Sequence, residues 1–82
     1  NPFNPETVVS YRLSVVSDVK LMIYNVLGEL VRNLRQRRET PGLHTVRWDG
    51  RDDAGRPVCS GVYIYRLETP QQTATRKMIL LR

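Results

Sequence analysis

The fold class predicted for these 82 residues is all-β, an immunoglobulin-like antiparallel β-sandwich of about seven strands, and three observations predict it. Short runs rich in Val, Ile, Tyr and Thr recur along the chain, the residue types that suit a pleated, half-buried surface. Turn signals built from Gly, Pro, Asn and Asp separate those runs. Within the runs, apolar and polar residues alternate with the period of two that puts one face of a strand inward. A chain of this length forms one domain and buries only about 60–65% of the surface its unfolded form exposes.

The elements follow in order. Residues 1–6, NPFNPE, hold two Asn-Pro steps. Each Pro fixes φ and pushes the Asn before it toward extended geometry, so the segment is expected to be a stiff linker, with Phe3 folding onto the base of the sandwich. The domain proper is expected over 7–82. Residues 7–13 alternate Val9, Tyr11 and Leu13 against Val8, Ser10 and Arg12. Residues 18–24 set Val19, Leu21 and Ile23 against Lys20, Met22 and Tyr24. Gly28 marks the next reversal.

Residues 30–37 are ambiguous, because Leu30, Val31 and Leu34 fall at a spacing that suits a helical face as well as an irregular strand. Their neighbours favour an edge strand. After Thr40-Pro41-Gly42, residues 43–48 align His44, Val46 and Trp48, with Trp48 as the core anchor. The loop DGRDDAGR follows, and residues 57–60 are expected to add a short strand. Residues 62–68 set Tyr63, Tyr65 and Leu67 against Val62, Ile64 and Arg66; residues 73–81 return as the last strand.

The formal charge is +5, carried by 11 Arg and 2 Lys. That balance raises nucleic acid, anionic lipid or acidic polysaccharide as partners. Arg32, Arg35, Arg37 and Arg38 are the one cluster, and no aromatic residue interleaves with them to stack on bases, so nucleic acid is not expected. The cluster reads as a solvated face, with an anionic-polysaccharide patch as the alternative.

Catalysis is not expected. The single His44, the single Cys59 and the few Ser fall at no spacing that makes a nucleophile–base pair. His44 reads as a structural residue. Cys59 reads as a small, half-buried hydrophobe, with intermolecular pairing as the alternative. The loop from Asp49 to Asp53 holds three carboxylates. It lacks the alternation and the closing Glu of a calcium loop, and it reads as ordinary turn chemistry, with a structural cation as the alternative. No cofactor or metal is called for. There is no run of apolar residues long enough to span a bilayer as a helix.

Four stretches carry a family resemblance: NPFNPET, YNVLGELVRNL, GLHTVRWDGRDDAGRPVCSGVYIYRL and TRKMILLR. They resemble the C-terminal sorting domains of type IX secretion cargo, and the same style is similar to the immunoglobulin-like domain of flagellar hook-capping proteins. The first resemblance implies a non-catalytic address that directs an upstream cargo domain through the type IX outer-membrane translocon. It further implies removal by a sortase-type surface protease, and delivery from the periplasm to the cell surface or medium of a Gram-negative bacterium. Recognition in that family concentrates in the last strand, here Lys77, Met78, Ile79, Leu80, Leu81 and Arg82. A strand apolar on both faces is a liability at a sheet edge unless covered, which fits a recognition strand as well as plain core filling. The second resemblance implies a structural or scaffold module, and a spacer or polyanion-binding module of a secreted enzyme is the remaining alternative. The missing initiator Met is read as the mark of a piece of a larger protein.

Overall fold

The computed structural model describes residues 7–81; the expected linker 1–6, with Phe3, and the terminal Arg82 lie outside the described residues. Six strands run in order: β1 (Thr7–Leu13), β2 (Ser17–Tyr24), β3 (Leu30–Glu39), β4 (Gly42–Trp48), β5 (Gly61–Glu68) and β6 (Thr73–Leu80). They form two antiparallel sheets, β1-β4 and β3-β2-β5-β6. The all-β, immunoglobulin-like class holds, with six strands in place of about seven.

The missing strand is 57–60. Its backbone makes only the isolated bridge Arg51↔Pro57 and a bond from the Val58 N–H to the Gly50 carbonyl at 3.0 Å. Pro57 lacks the N–H a ladder needs, so pairing stops after one step. Cys59 consequently sits exposed on a loop rather than half-buried in a strand.

Where one face is covered, alternation decides the burial. Val9, Tyr11 and Leu13 of β1, and Val19, Leu21 and Ile23 of β2, all face inward, as do Val46 and Trp48 of β4. The core has two adjoining parts. Val9, Tyr11, Leu13, Val19, Leu21, Val46 and Leu67 make one; Ile23, Trp48, Tyr63 and Leu80 make the other, and Leu34, Tyr65 and Met78 pack against both.

The ambiguous segment is an edge strand, and its odd spacing has a cause. Arg35 pairs with Leu21 but Asn33 with Met22, which leaves Leu34 without a partner; Arg32 pairs with Ile23 but Leu30 with Tyr24, which leaves Val31 without one. Each is the extra residue of a β-bulge, and a bulge re-aims its side chain. Two bulges three residues apart turn both Val31 and Leu34 onto the core. The spacing that looked helical is that of two bulges.

At the β2–β3 turn Gly28 has φ +83° and Asn25 does the bonding. The Asn25 Oδ1 accepts the Leu27 and Glu29 N–H groups, both at 3.0 Å, and the Asn25 carbonyl accepts the Gly28 N–H at 3.0 Å. An Asx turn of this kind replaces the backbone pairing that the reversal removes.

Candidate functional site

The DGRDDAGR loop spends two of its carboxylates on its own backbone. Asp49 Oδ1 accepts the Arg51 N–H at 3.1 Å, while Asp52 Oδ1 accepts the Ala54 and Arg56 N–H groups at 3.0 and 2.9 Å. The Arg56 N–H bond, with the Ala54 N–H and the Arg56 charge, holds the Asp52 carboxyl below its ordinary value against the opposing effect of burial. Such bonds favour the ionised form. Asp52→Asn weakens them, and we expect faster amide hydrogen exchange at Ala54 and Arg56 with the sandwich core unchanged.

Asp53 turns the same loop onto the open edge of β3. Its N–H donates to the Val31 carbonyl at 3.0 Å and its Oδ1 accepts the Asn33 N–H at 3.0 Å. Covering an edge is a known defence against unwanted strand pairing. Arg32 fastens the contact, reaching the Arg51 carbonyl at 3.3 Å and lying 3.7 and 3.8 Å from Asp49 and Asp53. The loop thus acts as an edge cover. Among the described residues no cluster of His, Cys, Asp and Glu is arranged to hold a metal ion.

Glu39, which the sequence reading passed over, is the electrostatic centre of the molecule. Its side chain is 3% exposed and accepts from Arg35 at 3.0 Å; His44 Nδ1 lies 3.1 Å away and Arg37 3.5 Å away. The Tyr11 hydroxyl donates to its other oxygen. Tyr11 belongs to β1 and His44 to β4, so the carboxylate of β3 ties the two sheets together. His44 stacks on Tyr11 at 5.5 Å, and its Nε2 meets the Thr40 carbonyl at 2.7 Å, which makes it a structural residue. Burial alone would raise the Glu39 carboxyl; the Tyr11 hydrogen bond and the charges of Arg35, His44 and Arg37 outweigh it and hold the carboxyl below its ordinary value.

Burial and the Glu39 hydrogen bond push the Tyr11 hydroxyl up to about 12. A raised value means stability that is complete below the unfolded value of about 10 and lost as pH rises through 12. In a spectrophotometric titration Tyr11→Phe is expected to remove one tyrosine ionisation step near pH 12.

The four clustered arginines therefore divide among acids. Arg35 and Arg37 turn toward Glu39, Arg38 lies 3.4 Å from Asp18, and Arg32 holds the loop. They do not converge on one free cationic surface. The last strand places Leu80 in the core and Met78 at its margin, while Ile79 and Leu81 are exposed and Lys77 faces outward on the edge strand β6. No described cluster pairs a nucleophile with a base.

The profile of the family described as FlgD Ig-like domain matches residues 4–73. The chain belongs to the FlgD Ig-like domain family. Of the two resemblances in the sequence, the hook-capping one is therefore matched, and the sorting-domain one finds no support. The crystal structure of FlgD from P. aeruginosa is similar, with a TM-score of 0.73 at 24% identity over 93% of this chain. At that identity the likeness speaks for the fold, and the chain spans 59% of that FlgD chain. No curated protein matches. The segment from Ala74 onward, with most of β6, lies beyond the family match.

Proposed function

We propose that this chain is a non-catalytic, FlgD-like immunoglobulin module that serves a larger, exported assembly protein as a structural scaffold. The family match carries the reading. The distribution of chemistry supports it: the polar clusters of the molecule, around Glu39 and in the 49–56 loop, are consumed in holding strands and loop together. Its partners on this reading are neighbouring protein subunits and the adjoining part of its own chain, with no nucleic acid.

A second reading is favoured by one observation. β6 is an edge strand with no neighbour on its outer side among the described residues; Ile79 is exposed on it and Leu81 just past its end. An exposed edge with apolar side chains suits strand addition by a partner, as a type IX translocon would require of a sorting signal on secreted cargo.

The two separate in one experiment. The chain is attached to the C-terminus of a periplasm-directed fluorescent protein in a bacterium carrying the type IX machinery. On the scaffold reading fluorescence stays in the periplasm, with or without residues 77–82. Surface or medium fluorescence that depends on those residues would overturn the scaffold reading in favour of sorting.

A further inference from the structure

The outward face of the four-stranded sheet is not polar. Residues paired across a ladder point to the same side, so Leu30, Tyr24, Ile64 and Lys77 form one row across β3, β2, β5 and β6. Ile23 and Tyr63 are in the core, so this row faces away from it. Val62 and Ile79 are paired alongside on β5 and β6. Met22, on the same face, is buried to 7% exposure. Tyr24 is half-buried within this apolar band.

Beside the row lies a shallow groove lined by Tyr24, Val26, Ile64, Arg66 and Thr75. Its upper wall is the β2–β3 turn, which leaves Val26 65% and Leu27 80% exposed. The Asn25 and Gly28 bonds fix that turn, and Asn25 Nδ2 also donates to Glu29 at 2.9 Å. Two exposed aliphatic side chains are thus displayed on a tightly bonded support. Contact groups held in place before binding lose little freedom on binding.

The charge around the groove selects the occupant. Arg66 lines it, and its nearest acid, Glu68, is 3.8 Å away with both side chains part-exposed. Lys77 ends the apolar row and Lys20 lies on the same face; neither has an ion-pair partner among the described residues. A second copy of this chain would set these cations against their own kind. A flat lipid surface would touch Leu27 but not the recessed Tyr24.

We infer that this groove is a docking site for a segment of another protein that presents aliphatic or aromatic side chains flanked by Asp or Glu. The apolar side chains fill the space between Tyr24, Val26 and Ile64, and the carboxylates meet Arg66 and Lys77. Area alone does not set such an affinity; the buried apolar anchors do, and the charges set partner choice and encounter rate. The site is independent of whether the parent protein is a scaffold or a sorted cargo.

The test is selection of random displayed peptides on the wild-type chain, with counter-selection on the Val26→Ser/Leu27→Ser variant, whose substituted positions are solvent-exposed. Enriched peptides are expected to combine a pair of large apolar residues with Asp or Glu. A synthetic peptide of the enriched sequence should perturb the amide resonances of Tyr24, Val26, Ile64, Arg66 and Thr75. Its affinity should fall about tenfold or more for Val26→Ser/Leu27→Ser, and again for Lys77→Glu, with melting temperatures unchanged. Any of these results would overturn the inference: no enrichment, peptides without acidic residues, perturbation on another face, or a self-dimer that Leu27→Ser abolishes. Binding of the chain to phosphatidylglycerol vesicles through Leu27 would do the same, by making the face a lipid surface.

Discussion

Trp48→Ala is expected to unfold the domain at room temperature or leave it barely folded. Trp48 is fully buried and packs edge-on against Tyr63, with ring centroids 5.2 Å apart. Its indole N–H donates to the Arg51 carbonyl at 2.9 Å, and the Tyr63 hydroxyl donates to the Cys59 carbonyl at 2.7 Å. The residue is thus the core anchor of β4 and the foot of the 49–60 loop together. Truncating a buried aromatic to Ala costs about 3–5 kcal/mol. A domain of this length has about 4–12 kcal/mol in hand. At about 4–8 °C per kcal/mol, the loss is a fall in melting temperature of at least about 12 °C. Trp48→Phe separates the two roles. It keeps the ring in the core and strands the Arg51 carbonyl, so it should cost only about 1–3 kcal/mol and loosen the loop first. Thermal unfolding followed by circular dichroism reads both; equal melting temperatures for wild type and Trp48→Ala would overturn the assignment.

The same residue shows what the sequence reveals and where it stops. The alternation of Val9, Tyr11 and Leu13, and of His44, Val46 and Trp48, is legible because a strand covered on one face must bury every second residue. β3 is less legible, because two bulges move Val31 and Leu34 off the period of two. The strand expected at 57–60 fails where Pro57 ends the pairing. Turn chemistry in the 49–56 loop was readable from its Asp and Gly, but its docking on β3 was not: Asp53 meets Asn33 from 20 residues away. Glu39 was invisible for the same reason. It follows three arginines in four positions, and local reading takes it for one more surface charge. Its other partners come from 28 residues upstream and from beyond a turn. Fold alone could not separate the two family resemblances either, since both imply the same sandwich. The family match separates them.

That hidden residue yields the second large effect. Glu39→Gln is expected to cost about 2 kcal/mol at neutral pH, although it changes one atom in size terms. The amide still accepts the Tyr11 hydroxyl, but Arg35 and His44, both with side chains only 19% exposed, lose the charge that faces them. Removing one member of a buried pair typically costs about 3–5 kcal/mol, and partial solvent access to Arg35 reduces that figure here. The pH dependence identifies the cause. Because the folded carboxyl sits below its ordinary value, the ionised Glu39 stabilises the fold above the unfolded value of about 4.3, and that stability is lost as pH falls through the folded value. The gap between wild type and Glu39→Gln should therefore be widest near neutral pH and close in acid. Chemical denaturation at neutral pH and at successively lower pH measures it. Glu39→Gln and Tyr11→Phe should also fail to add, since the two side chains share one network across the sheets. A gap that stays constant into acid would mean that Glu39 contributes packing and hydrogen bonding rather than charge, and that the sheets are held together by their apolar core alone.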